Sequence, residues 1–226
     1  MPFLLCYGIL FKGYLIVRDV MYSIILKDIT KKYGQNTILE NISLKAESGR
    51  ILAITGGNGS GKSTLLKLIM GIEEVSSGEI HYLLNKQEIV DKSFLKNIAT
   101  VTPELEFYPQ LTVQENMELF LGLRDISFNA KIIAECLERF GLKANALNKF
   151  FGELSTGMAQ RVKLAVLLAS NSEIWLLDEP GSNIDEAGVN LLLKEISNAK
   201  KAGKLIILAT NDSREVAVAD EIFQLK

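Results

Sequence analysis

The nine residues Gly56, Gly57, Asn58, Gly59, Ser60, Gly61, Lys62, Ser63 and Thr64 constrain this chain more than any other feature. They match the spacing G-x-x-x-x-G-K-[ST], which average residue frequencies produce by chance in on the order of one chain in a hundred. A short apolar run, Arg50 to Thr55 (RILAIT), precedes the loop and reads as a buried strand. A helical pattern follows it to about Met70 and stops at Gly71. Strand, glycine-rich loop and helix is the setting in which such a loop cradles phosphate. The glycines let consecutive N–H groups turn inward, and the helix N-terminus adds the positive end of its dipole. Lys62 places a point charge at β- and γ-phosphates, and the Ser63 hydroxyl can ligate Mg²⁺.

The rest of the chain reads as an α/β core interrupted by helices. Ile24 to Ile29 and Ile38 to Leu44 look like strands around a turn at Tyr33 to Asn36. GEIHYLL around Ile80, EIWLLDE near Trp175, LIILAT from Leu205 and the terminal EIFQL are further strand candidates. From Asp91 to Ala169 helical patterns dominate, with Ile132, Ile133, Cys136, Leu137 and Phe140 at helical spacing and Gly141 at a C-cap. Cys136 is therefore expected in the core. The predicted fold class is α/β, a P-loop core with a mixed sheet plus a helical subdomain at about 91–170.

Composition narrows the function classes. The chain has 226 residues, 48% hydrophobic and 23% charged, with a net charge of −2. That is ordinary globular usage, and it offers no overall basic field for nucleic acid or an anionic membrane. Two cysteines, Cys6 and Cys136, are too few for a disulfide framework and fit a reducing compartment. The apolar start, MPFLLCYGILFKGYLIV, is broken by Lys12. Its uninterrupted run from Phe3 to Phe11 is shorter than the roughly 20 residues a bilayer span needs. Three readings stand for residues 1–20: an upstream extension before a domain over 21–226, an extra edge strand or hairpin, or a membrane-surface anchor.

A second chemical site lies at Trp175 to Pro180 (WLLDEP). An apolar strand ending in adjacent acids places both at the carboxyl edge of a sheet, where open α/β folds bind ligands. There Asp178 is placed to hold the Mg²⁺ shell and Glu179 to orient the attacking water or take its proton.

The segment ELSTGMAQR, Glu153 to Arg161, has its Ser155 23 residues before Asp178. Here the chain resembles the ATP-binding-cassette (ABC) ATPases, whose signature is LSGGQ-x-QR. Thr156 stands for a Gly and Met158 for the Gln, a variant similar to exporter-type cassettes. GSNID, Gly181 to Asp185, is similar to the family's D-loop, and LTVQEN, Leu111 to Asn116, to the segment after its Q-loop. Tyr33 sits where the family stacks an aromatic ring on adenine; a plain turn tyrosine is the alternative.

The resemblance implies an ATP- and Mg²⁺-dependent hydrolase. Ser155 and the Gly157 backbone would close over the γ-phosphate held by a second copy of the chain, with Asp185 as the D-loop acid. It further implies a separate transmembrane permease subunit as partner, a cytoplasmic position at the inner face of the membrane, and no nucleic acid. Two departures qualify this. VTPELE puts Glu104 where the family carries its Q-loop Gln, Gln110 being the alternative under a shifted alignment. ATND puts Asn211 where the switch histidine belongs, and the sole histidine, His81, is too far away to replace it. A soluble cassette, or a nucleotide-gated clamp that barely hydrolyses ATP, are the competing functions.

Overall fold

Alternation of apolar and polar residues builds the first layer. A computed structural model describes residues 20–226 of the chain. Strands β1 (Tyr22–Tyr33) and β2 (Asn36–Glu47) form an antiparallel hairpin closed by Gly34 and Gln35, with Tyr33 opposite Asn36. Ile24, Leu26 and Ile29 of β1 point inward and are fully buried. The spacing changes between Leu26 and Ile29 because the pairing shifts there, around Asp28 at φ 50°. Strand β4 (Ser77–Leu84) and the two-residue β5 (Gln87–Glu88) complete a four-stranded sheet in the order β2-β1-β4-β5.

Uniformly apolar runs build the second layer. Strands β3 (Ile51–Thr55), β6 (Ile98–Val101), β7 (Ile174–Asp178), β8 (Leu205–Ala209) and β9 (Glu221–Gln224) form an all-parallel sheet in the order β6-β7-β8-β3-β9. Both faces of such a sheet must be covered, which is why its central strands carry no polar alternation. On one face, helix α1 (Lys62–Ile69) and the antiparallel sheet enclose a core of Leu52, Ile54, Leu65, Leu66, Leu176 and Ile207. On the other face lie α2 (Val113–Gly122), α3 (Ala130–Arg139), α4 (Thr156–Ala169) and α5 (Glu186–Lys201), around Val101, Trp175, Leu177 and Leu208. Each fully buried aliphatic side chain contributes about 1.5–3 kcal/mol of transfer free energy. The short helix α6 (Ser213–Val216) leads into β9.

These helices start where their caps are. Thr112 and Glu115 form a capping box at α2, Asn129 caps α3, Ser155 caps α4 and Asp185 caps α5. Gly141, at φ 73°, follows α3 where the C-cap was expected. Cys136 is buried, and burial pushes its thiol up to about 11, so it is an inert core residue.

The stretch from Asp91 to Ala169 is less uniformly helical than its pattern suggests. It opens with a 3₁₀ turn over Lys92–Asn97, and then β6 joins the edge of the parallel sheet beside β7. Four residues are too few to show a period, and only the backbone ladder to Ile174–Leu177 makes them a strand. Among the described residues no helix is long and apolar enough to cross a membrane. The readings offered for residues 1–20 fall almost wholly outside the described residues.

Candidate active site

Parallel strands aim their carboxyl ends at one edge, and here four neighbouring strands each deliver a functional group to it. The phosphate-binding loop follows β3, Asp178 ends β7 with Glu179 next, Thr210 and Asn211 follow β8, and Glu104 lies just past β6. This is the crevice position expected of an open α/β sheet.

The loop's shape depends on its glycines at identifiable places. Gly61 adopts φ 94° as the residue before α1, and a Cβ there would lie 2.7 Å from the buried Leu39 Cδ2. The position therefore needs glycine for both conformation and space. Lys62, 6% exposed, turns its ammonium back onto the carbonyls of Gly56 (2.8 Å) and Gly57 (3.2 Å). A cation held on two backbone carbonyls suits a phosphate oxygen, which replaces neutral acceptors by a charged one.

Tyr33, Ile38, Asn58, Gly59, Gly61, Lys62, Ser63, Thr64 and Glu179 line a cleft of about 440 Å³. Tyr33 is half-exposed at its mouth, with Lys31 Nζ 4.8 Å from the ring centroid and its hydroxyl donating to Glu73. The pairing to Glu73 raises the phenol pKa and holds the ring in place. The platform expected for a base is thus on the same cleft as the phosphate loop.

Behind the cleft the Ser63 hydroxyl is near enough to the buried Asp178 carboxyl to favour its ionised form. Asp178 is buried, and its pKa is raised first by that burial and then by Glu179 and Glu104, against lowering by Ser63 and Lys62. A buried carboxyl with a hydroxyl beside it offers oxygen ligands of the kind Mg²⁺ takes. The cation would relieve the repulsion among the acids. Glu104 itself is exposed and pairs with Lys67 at 2.8 Å, whereas Gln110 is exposed in the turn before α2. Among the described residues no three Asp, Glu, His or Cys side chains gather into a ready-made metal site.

Glu179 occupies a left-handed conformation, φ 45°, which a non-glycine residue holds only when its surroundings insist. Its N–H donates to Ala209 O (2.8 Å), and its carbonyl accepts from Ser182 N–H (3.0 Å). A second cleft, about 210 Å³, joins Glu179 to Asn58, Gly181, Thr210, Asn211 and Glu215. Asn211 Oδ1 accepts the Gly56 N–H at 3.2 Å, which fixes the amide so that its NH₂ is the end left to donate.

The signature residues are elsewhere. Ser155 caps α4 through Met158 N–H (3.2 Å), and a Cβ on Gly157 would stand 2.9 Å from Asn183 O. Neither residue lines either cleft. Asp185 caps α5, accepting from Gly188 N–H (2.9 Å), and pairs with Arg161 of the signature helix. Gln160 Nε2 donates to Pro180 O at 2.9 Å, so the signature helix and the Asp178–Glu179 turn touch directly. Glu215 carried no sequence signal. It is fully buried because Gly181 leaves room for it, a fit between residues distant in the chain.

A family profile described as "ABC transporter" matches residues 39–182, the stretch holding the loop, the signature and the acids.

The chain belongs to the ABC transporter family.

The ribose import ATP-binding protein RbsA of Caldanaerobacter subterraneus subsp. tengcongensis is 34% identical over 212 residues, covering 89% of this chain and 42% of the relative. The maltose/maltodextrin import ATP-binding protein MalK of Photorhabdus laumondii subsp. laumondii is 34% identical over 213 residues, covering 91% of this chain and 56% of the relative. The chain thus spans about half the length of these curated relatives. Both are named for import, so they lend the exporter expectation no support. Among solved structures, a dimeric bacterial ABC transporter cassette superposes with TM-score 0.76 at 30% identity, covering 90% of this chain and 94% of that one. The same cassette in a post-hydrolysis dimer bound to ADP and Pi also gives TM-score 0.76, at 29% identity and the same coverage. The likeness confirms the mixed α/β cassette fold.

Proposed function

We propose that this ABC cassette binds Mg-ATP in the cleft between Tyr33 and the phosphate loop and hydrolyses it, as the ATPase subunit of a transporter. The observation that carries the reading is the cleft in which Tyr33, the phosphate loop with Lys62 and Ser63, and Glu179 share one wall, with the Lys62 ammonium turned onto the loop's own carbonyls. Tyr33 and Ile38 take the base. Loop N–H groups other than those of Gly56 and Ser60, which are held by Asn211 and Gly57, and the Lys62 ammonium take the β- and γ-phosphates, Lys62 exchanging its two carbonyls for phosphate oxygens. Ser63 and Asp178, with Glu104 nearby, would hold Mg²⁺, which when bound would supply positive charge to offset that of the phosphates. Glu179 takes a proton from a water as its oxygen bonds the γ-phosphorus and the β–γ bridging bond breaks. ADP leaves with that bridging oxygen's electrons, and the proton goes on to bulk water with phosphate release. The Asn211 NH₂ donates to the γ-phosphate.

Two copies complete the site. Ser155 and Gly157 lie away from the clefts of their own chain, at the N-terminus of α4, and fit the role of donors to a partner's γ-phosphate. The fold match to a dimeric cassette supports that arrangement. We take residues 21–226 as the ATPase domain, with a helical subdomain within about 91–170 that carries the signature. The two copies sit at the inner face of the cell membrane on a separate permease subunit. Asn211, a neutral donor in place of a histidine, favours a second reading, a nucleotide-gated clamp with little turnover.

One experiment separates these readings. Lys62→Ala is expected to abolish hydrolysis and weaken nucleotide binding sharply, and Glu179→Gln to leave ATP uncleaved and trap a dimer in sedimentation. Undiminished turnover in Lys62→Ala refutes the site. Wild-type protein that dimerises on ATP without releasing phosphate selects the clamp.

A further inference from the structure

Glu215 is 1% exposed, in the four-residue helix after the switch position, and the mechanism above makes no use of it. Burying a carboxyl is costly, and an aliphatic side chain would fill the same space without that penalty. Burial raises its pKa, and the Thr210 hydroxyl and Gly181 N–H only partly oppose this. Its Oε2 has no hydrogen-bond partner, an exception that calls for a reason in a buried group.

The reason lies in what its other oxygen fills. A Cβ on Gly181 would lie 2.2 Å from Glu215 Oε1, so this oxygen occupies the place of the missing Gly181 side chain. Gly181 is two residues after Glu179, whose left-handed backbone needs bracing from outside. The N–H of Glu179 is tied to β8 and its carbonyl to Ser182. Oε1 of Glu215 supplies a third brace, seated on the turn that follows. Thr210, which adjoins Asn211, bears on the same carboxyl and also accepts the Asp212 N–H at 3.0 Å. Glu179, Asn211 and Glu215 line one cleft.

We propose that Glu215 is a positioning residue for hydrolysis, wedged between the switch loop and Gly181 so that Glu179 and Asn211 are held at a fixed separation. This rests on the reading of Glu179 as the group that activates water. It acts through Glu179 and touches neither base nor phosphate, so its loss should appear in turnover and not in binding.

The test uses the full chain, with phosphate release for turnover and a fluorescent ATP analogue for affinity. Glu215→Ala is expected to lower kcat by about 10- to 100-fold, the range that misplacing a reacting group by about 1 Å produces. KM and nucleotide affinity should stay within about threefold, because the phosphate loop is untouched. Glu215→Gln, which keeps the shape, should restore most of kcat. Gly181→Ala should lower kcat alone, by driving its methyl into Oε1, yet add nothing in the Glu215→Ala background, where that volume is free. A folded Glu215→Ala protein with kcat within twofold of wild type overturns the proposal. So do additive losses in the double variant, and so does a full-rate Gly181→Ala, which remains decisive if Glu215→Ala does not fold. Glu179→Gln is the control: if it hydrolyses at the wild-type rate, the reading of the site falls and this inference with it. If it is inactive while the Glu215 and Gly181 variants are normal, only this inference falls.

Discussion

Replacing Asn211 by histidine tests how much the switch position limits the rate. Asn211 Oδ1 is committed to the Gly56 N–H at 3.2 Å, so the side chain can offer a γ-phosphate only its neutral NH₂. A neutral hydrogen bond is worth about 0.5–1.5 kcal/mol net, and one involving a charged donor about 1.5–3. An imidazolium in the same place should therefore gain roughly 1–2 kcal/mol, provided the contact strengthens as charge builds on the transferring phosphoryl group. That is about 5- to 30-fold in the chemical step. Single-turnover rapid quench with saturating Mg-ATP isolates this step from product release. The sign with pH follows from the donor's charge. The gain should be full below about pH 6.5, where imidazole is protonated, and shrink as pH rises through its pKa; a nearby phosphate would move that limb upward. The Asn211 protein should show no such limb. ATP affinity should change little, since binding is carried by the loop and Lys62. A rate for Asn211→His equal to or below wild type at pH 6 refutes the argument and means the site has been rebuilt around the amide.

Two further outcomes follow from the geometry. Gly61→Ala places a Cβ 2.7 Å from Leu39 Cδ2 at φ 94°. About 1–2 kcal/mol for the left-handed backbone and about 1–3 for overpacking predict a loss of roughly 2–5 kcal/mol in urea unfolding, and a loss below 1 refutes the fit. Asp178→Asn removes a buried carboxyl whose raised pKa makes its ionised form a burden on the nucleotide-free fold. The variant should be more stable than wild type at pH 8 and nearly equal at pH 3, below the unfolded pKa of about 3.9, while losing Mg²⁺-dependent nucleotide binding. Equal stability at both pH values would show that Asp178 is not strained.

What the sequence made legible has a common character. The phosphate loop, Asp178–Glu179 and the signature are contiguous runs whose chemistry demands particular residues at fixed spacing, and the structure sets each where its strand or helix begins or ends. The central strands were plain because burial on both faces demands unbroken apolar runs. Strand β6 was hidden because its four residues become a strand only through β7. The first strand was read short because its pairing shifts around Asp28 and disrupts the alternation. Glu215 was invisible because its burial depends on an absent side chain at Gly181. Asp185, read as a D-loop acid, is also the cap of α5 and the partner of Arg161, ties that depend on packing α4 beside α5.

The ladder of the parallel sheet works as a measuring scale for the chemistry. Ile54 and Asp178 are both registered on Ala209, the last residue of β8, one through each edge of that strand. The glycine-rich loop after β3 and the acids at the end of β7 are therefore indexed to a single peptide. One step along a strand is about 3.3 Å, several times the roughly 1 Å misplacement that already costs on the order of 100-fold in rate. A deletion of one residue within β8 would thus misalign two tools at once, while an insertion in the turns before β3 or β8 leaves their spacing as it was. Distance in this fold is counted in whole residues, and the count is kept by strands that stand behind the cleft.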